Sequence, residues 1–420
     1  MSNRIADIVI VGAGMAGVAA AYQLAVRSRP AIRPGTSPST SLGASVRRIL
    51  LVDSREPLSL TSNKGTEAYR NYWPGPDDTM VRFVNRSIDL LDTLDSESGG
   101  AFELNRRGYA FLTAVPEEAE RLRGHEGPTA HFIEGNRAIR ARYPFVTERA
   151  VGMLHVHRAG YMSATKLGGW LLARAQSRGV DMIRDEATGL VVEKQRFVGL
   201  QLASGARIDA NALILAAGPR LPEWTAQLEL NVPVVNELHG KVSFEDDAGV
   251  VPRDLPLMIW NDPVNLGAFG TMPAGVHLRP RGARSVLGIW TYDTRIEEPQ
   301  FPPAFPPEYP EVVIRGLSAM VPGLQAYVDH AHNAIVDGGY YCKAPDNRPL
   351  IGPTPITGAY LLGALSGFGI MASQAAAELV AAHLLEGALP DYAAAFHPAR
   401  FDDPAYQRTL ATLDPKAGQL

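Results

Sequence analysis

Three glycines at positions 12, 14 and 17 carry the clearest chemical signal in the chain. They sit in Gly12-Ala13-Gly14-Met15-Ala16-Gly17, directly after the apolar run Ile8-Val9-Ile10-Val11 and before a helix-forming stretch from Val18 to Ala25. In that setting Gly12 permits a tight turn, Gly14 lets the backbone approach a pyrophosphate, and Gly17 lets helix and strand pack closely. The helix start, with Met15 and Ala16 in its first turn, offers N–H groups and a positive dipole end to phosphates. These residues point to a dinucleotide. An acidic residue should end the next strand, about 20 residues on, and bind ribose hydroxyls. The run Arg48 to Asp53 ends on Asp53, followed by Ser54, but lies later than that spacing. Residues 27–47, rich in Ser, Pro, Thr and Arg, account for the excess as an exposed insertion, its arginines solvated or touching a partner. The glycines alone do not separate NAD from FAD.

Other groups that could do chemistry are fewer. Lys64 and Arg70 are the charged candidates in Thr61 to Asn71. An arginine there suits a carboxylate, because its fork binds both oxygens; the plainer reading pairs it with Glu67. His155 and His157 could share a strand face, as could His330 and His332, but neither pair has the further ligands a metal needs. No Gly-x-Ser-x-Gly supports a serine hydrolase. Cys342 is the single cysteine. It forms no intrachain disulfide and no metal cluster, which fits a reducing, cytoplasmic setting.

The elements that must position these groups can be read from periodicity. Arg48 to Asp53 and Ala212 to Gly218 read as buried strands, and Leu190 to Val192 and Phe197 to Leu202 as short ones. Helices are expected over 77–94, 117–123, 165–178, 311–320 and 373–385. Val232 to Tyr292 alternates strand-like pieces with Gly and Pro turns, which predicts a largely antiparallel sheet. Pro299 to Pro310 should be irregular. The chain has 420 residues, 46% hydrophobic and 20% charged. That length allows two or three domains. A net charge of −4 gives no reason to expect nucleic acid as partner. The run Ile8 to Ala21 looks like a signal peptide until Asp7 and its spaced glycines are counted. The stretch Tyr360 to Leu389 carries Gln374, Glu378 and His383, so a buried helix is expected there and no transmembrane segment.

Three further clusters decide the cofactor. They are Ala216-Ala217-Gly218 at a strand end, Pro345-Asp346-Asn347-Arg348-Pro349-Leu350-Ile351-Gly352, and Gly367-Phe368-Gly369-Ile370-Met371 entering the last long helix. With the N-terminal glycines, and in the same order, the chain resembles the D-amino-acid oxidase superfamily in its glycine oxidase, sarcosine oxidase and D-amino-acid dehydrogenase-like branch. The resemblance covers nearly the whole chain. It implies an α/β fold: a Rossmann-like FAD-binding domain with a parallel sheet, and an α+β substrate domain with a mixed, largely antiparallel sheet. The two interleave, with residues 1–65, 150–225 and 330–420 binding FAD and residues 66–149 and 226–329 binding substrate.

The implied activity is oxidation of a C–N bond in an amino acid or secondary amine, by hydride transfer to flavin N5, giving an imine that hydrolyses. Alternatives are a 2-hydroxy-acid dehydrogenase on the same fold, or a flavin-binding assembly protein without turnover. The resemblance places Thr61, Ser62, Gly189, Ala217 and Gly218 against non-covalent FAD. It sets Gly367 to Met371 at the flavin's pyrimidine edge, where a helix start favours the anionic reduced ring. Arg70, Lys64 and Tyr341 are the catalytic candidates. Tyr341 stands where glycine oxidase-like members carry a carboxylate-binding arginine, as a tyrosine does in sarcosine oxidase-like members. Either Arg70 or another cation takes that task, with Tyr341 assisting and Lys343 helping if it points inward, or the substrate is not a simple α-amino acid. Sarcosine oxidase-like members carry an oxygen-assisting lysine that aligns near Val286, which leans toward a dehydrogenase passing electrons to a quinone or carrier. Lys64 or Lys241 could replace it. Cys342 lies three residues nearer Asp346 than a flavin-linking cysteine would, so a buried structural thiol is expected. A partner subunit and a place at the membrane periphery are compatible with this reading.

Overall fold

Ile8, Ile10, Val9 and Val11 are all buried, as a β-branched run packed on both faces must be. Ile8 and Ile10 join one hydrophobic cluster, and Val9 and Val11 another, on opposite faces of the sheet. The structure, a computed structural model, describes residues 4–28, 48–75 and 77–410. Most of the polar insertion 27–47 lies outside them. The strand Arg4–Val11 is central to a sheet of eight strands. Parallel to it run Arg207–Leu215 on one side and Ile49–Val52 on the other, with Ala359–Gly363 and Val180–Ile183 beyond. Leu350–Pro353 adds an antiparallel edge, and Arg196–Leu202 and Ala187–Glu193 form an antiparallel extension of Arg207–Leu215.

Helices Met15–Arg27, Thr79–Ser98, Ala164–Gln176 and Gly369–Leu384 contribute to the core on the Ile8 and Ile10 face. Their apolar stripes meet there, so each helix is stabilised by burial more than by its own propensity. The helix expected over 77–94 runs on to Ser98 and ends where Gly99 takes a left-handed φ of 65°. The apolar stretch from Tyr360 splits at its glycines into the strand Ala359–Gly363 and the helix Gly369–Leu384. No helix among the described residues is long and apolar enough to cross a membrane.

A second sheet of nine strands is antiparallel except where Leu257–Trp260 lies parallel to Tyr109–Thr113. Its long strand Val235–Glu245 pairs with Ile335–Lys343 on one side and Ser285–Ile289 on the other. The helix Tyr309–Met320 and the 3-10 run Pro322–Asn333 pack against this sheet's core. The fold is therefore a Rossmann-like α/β domain joined to an α+β domain with a mixed sheet. Three elements sit differently from the sequence segmentation. Gly152–Val156 and Ile335–Lys343, grouped there with the FAD-binding segments, complete the second sheet by pairing. The helix Thr79–Ser98, grouped with substrate binding, buries Phe83, Ile88 and Leu91 in the first domain's core. Backbone pairing and apolar faces fix those memberships, and motif order does not report them. Periodicity also gave no sign of the 3-10 run, nor of Ala130–Glu134 and Asn136–Arg142.

Asp346, within the proline-flanked motif, is a structural anchor. Its buried carboxylate accepts from Arg400 Nε at 2.8 Å and Nη2 at 3.0 Å, from the Arg348 N–H, and from the Tyr406 hydroxyl at 2.5 Å. The tail is thereby tied to the loop before Leu350–Pro353. Asp346→Ala will leave Arg400 buried without its partner, at a cost of about 3–5 kcal/mol, read as a lower denaturant midpoint. Asp391→Ala, which removes an exposed pair with Arg82, will leave the midpoint unchanged.

Candidate active site

The carboxyl ends of the parallel strands open into a cleft, in the position where open α/β sheets bind ligands. Gly14, Met15 and Ala16 line one part of it. Thr61, Ser62, Gly218, Gly367, Gly369 and Ile370 line the rest, together with Tyr341 and Cys342. The chain builds this cradle by removing side chains. Gly12 has φ +103°, and a Cβ there would sit 2.4 Å from the Ala216 carbonyl oxygen. A Cβ on Gly17 would sit 1.8 Å from the Gly12 carbonyl oxygen. The Ser62 hydroxyl accepts from the Met15 N–H at 2.9 Å, so Thr61–Asn63 is held against the first helix. That helix has no acidic residue in its first turn to repel a phosphate.

Asp53 and its neighbours are placed less simply. The Asp53 carboxylate accepts from the Ala13 N–H at 2.7 Å and from the Arg55 N–H at 2.9 Å. It braces the glycine loop from below and does not line the cleft. Ser54 is exposed beside it. Ala217 precedes Gly218 and packs partly buried in the core below. Gly189 stands apart: it lies on Ala187–Glu193, facing Gln201, in the antiparallel extension.

Residues 7–383 match the sequence profile of DAO, the FAD dependent oxidoreductases. The chain belongs to this family. FAD is its cofactor, and the glycine cradle fits one. No curated protein matches the chain in sequence. Among solved structures it is similar to L-proline dehydrogenase from P. horikoshii, with 19% identity and a TM-score of 0.77 over 96% of this chain and 99% of that one. It is similar to glycine oxidase from Geobacillus kaustophilus, with 18% identity and a TM-score of 0.75 over 95% and 99%. Iminodiacetate oxidase from Chelativorans sp. gives 20% identity and a TM-score of 0.70 over 91% and 96%. At these identities the likeness establishes the fold.

A second chamber adjoins the FAD cleft and shares Thr66, Tyr341 and Gly367 with it. Tyr341 is the divider. Gly65 and Gly367 make room for its ring: a Cβ on Gly367 would lie 2.5 Å from it. Burial pushes the Tyr341 phenol up to about 12, so it stays neutral and able to donate. Phe368 and Met371 face this second chamber, whereas Gly369 and Ile370 face the FAD cleft. Burial likewise raises the Cys342 thiol to about 12, which keeps it a thiol.

Arg70 reaches the second chamber from the short strand Ala68–Arg70 and is 3% exposed. Its Nε donates to the Tyr72 carbonyl at 2.8 Å, and its guanidinium lies 5.6 Å from the Tyr109 ring centre. Desolvation lowers its pKa, but a guanidinium keeps its charge. The predicted pairing with Glu67 does not form. Glu67 instead accepts from Arg279 Nη2 at 2.6 Å, both side chains being buried. Lys64 does not line either chamber. Its ammonium donates to Asp337 at 2.7 Å, because that carboxylate is the nearest offset to its charge. Lys241 donates to the Asn63 carbonyl, and burial lowers it to about 8.

Sequence reasoning missed Tyr109, His239, His277 and Thr291, which complete the second chamber. The signal for one of them was present: Glu237 and His239 are two apart on a strand, and so are Tyr341 and Lys343 on its neighbour, which places each pair on one face. Among the described residues no cluster could hold a metal ion.

Proposed function

We propose that the protein oxidises the C–N bond of an α-amino acid or a carboxylate-bearing secondary amine. The carrying observation is the buried Arg70 guanidinium in a chamber that opens onto the FAD cleft past Tyr341. A guanidinium lining a chamber with Tyr109, Phe368, Ile289 and Met371 suits a small ligand with one carboxylate end, which its fork can bind at both oxygens. Arg70 binds the carboxylate. Tyr341 donates from the boundary of the two chambers and, with Phe368 and Met371, excludes water from the reacting carbon. Bound FAD supplies the chemistry by taking hydride at N5, and the resulting imine hydrolyses. Placement of the C–H bond contributes most of the acceleration. The names of the similar structures, for proline, glycine and iminodiacetate, support this class of substrate. Lys64, held by Asp337, is given a bracing role at Thr61–Asn63.

The electrons go on to a quinone or a carrier, with a cytoplasmic setting for the enzyme. Val286, near which the oxygen-assisting lysine would align, is buried in the second sheet's core, which supports that reading. Anaerobic titration of the yellow holoenzyme tests the function. Amino acids or N-methyl amino acids should bleach the flavin, 2-hydroxy acids should not, and an artificial quinone should re-oxidise it faster than oxygen. Bleaching by hydroxy acids alone, or by dithionite alone, would refute it.

A further inference from the structure

Three buried side chains, Lys343, Glu237 and His239, and the half-buried Thr291 form a polar line that ends at the second chamber. Lys343 Nζ donates to Glu237 Oε1 at 2.8 Å. Glu237 Oε2 lies 3.2 Å from His239 Nε2, and His239 Nδ1 lies 2.9 Å from the Thr291 hydroxyl. Glu237 is 9% exposed, His239 6% and Lys343 5%. His239 and Thr291 both line the chamber, and the imidazole stacks on Tyr341 at 3.8 Å between ring centres and 19° between planes.

The network fixes the tautomer. Burial alone would raise the Glu237 carboxyl, but hydrogen bonds from His239 and Lys343, with the Lys343 charge, outweigh it and hold it below the usual carboxylate range. An ionised Glu237 only accepts, so Nε2 carries the hydrogen and Nδ1 accepts from Thr291. Desolvation keeps the His239 imidazole neutral, and Glu237 partly opposes that. The other groups facing it are Lys343, the phenol of Tyr341, and His277, lowered by burial to about 4 and therefore neutral; Arg70 lines the same chamber.

From this geometry we infer that Thr291, His239 and Glu237 form a proton relay that deprotonates the substrate ammonium. The inference rests on the amine-oxidation reading. An amine circulates mostly as its ammonium at neutral pH, and an ammonium has no lone pair to assist loss of hydride. The ammonium proton passes to Thr291 Oγ1 as the Thr291 proton passes to His239 Nδ1. The amine then holds a free electron pair. His239 becomes an imidazolium facing the Glu237 carboxylate, which Lys343 holds in place. The proton returns by the same route when product leaves. Thr291 touches substrate, and His239 and Glu237 act through it.

The test is the pH profile of anaerobic flavin reduction in holoenzyme, using whichever of glycine, L-proline or N-methylglycine bleaches the wild type fastest. With the relay, kcat/KM should be flat across pH 7–9. In Thr291→Val and His239→Gln it should rise about tenfold per pH unit toward the amine's own pKa, since only neutral amine then reacts. Thr291→Ser, which keeps the hydroxyl, should restore the flat profile. A deshielded imidazole N–H proton in the NMR spectrum of the substrate-free protein should vanish in His239→Gln and shift in Glu237→Gln. Profiles that stay flat in both Thr291→Val and His239→Gln would overturn the relay and leave the amine-oxidation reading standing. A wild-type flavin bleached by no amine would overturn both.

Discussion

Gly17→Val will purify colourless. A Cβ at residue 17 would lie 1.8 Å from the Gly12 carbonyl oxygen and 3.0 Å from its carbon. Both are backbone atoms of the glycine loop, so no flexible side chain can swing aside. The helix Met15–Arg27 must move off the strand Arg4–Val11, and its N–H groups leave the phosphates they should meet. The expected loss in FAD affinity is about a hundredfold or more, equivalent to about 3 kcal/mol. Flavin absorbance after gel filtration reads it directly. Gly169→Ala separates site from scaffold. Gly169 lies in the helix Ala164–Gln176 with open space around its Cβ position, so this change should keep the colour and add up to about 1 kcal/mol of stability. A yellow Gly17→Val protein with wild-type affinity would mean that the fingerprint does not cradle the cofactor.

Arg70→Ala will lose carboxylate-bearing substrates selectively. Removing one partner of a buried, hydrogen-bonded charge pair costs about 2–4 kcal/mol, or roughly 30- to 1000-fold in KM. Arg70→Lys should recover little, because a point charge cannot reproduce the planar fork held beside Tyr109. The control is a substrate pair: an N-methyl amino acid and the matching amine without its carboxylate. The variant should close the gap between them by slowing only the first. Equal losses on both would show that Arg70 supports the chamber's walls and does not hold the carboxylate.

How much of this was legible depends on what signal each part leaves. The FAD cradle is written in backbone requirements that only glycine meets, so Gly12, Gly14 and Gly17 stand out in the chain. The parallel strands are equally visible, because burial on both faces leaves uninterrupted apolar runs such as Ile8 to Val11. Asp53 was found at the right strand end, but its bond to the Ala13 N–H was not, since a carboxylate's partner cannot be read from its position. The substrate chamber was mostly hidden. Arg70 was visible as a charge near the motif, while Tyr109, His239 and His277 come from three separate strands and Thr291 lies just past the end of a fourth, Ser285–Ile289. Only the pairing of Val235–Glu245 with Ile335–Lys343 brings Glu237 opposite Tyr341 and sets Lys343 within reach of it. Lys64 misled because its charge was visible and its Asp337 partner, far along the chain, was not.

The order of the parallel strands has a consequence for biosynthesis. The central strand, Arg4–Val11, is made about 200 residues before its neighbour Arg207–Leu215. The turn that faces it across the cleft, Gly367 to Ile370, comes later still. A nascent chain can form the glycine loop's sequence but has no Ala216 carbonyl to press against Gly12 and no far wall for a flavin. So high a share of long-range contacts makes folding slow and dependent on synthesis at least as far as Ile370. By binding only the closed form, FAD would stabilise the packing of Gly367 to Ile370 against the glycine loop.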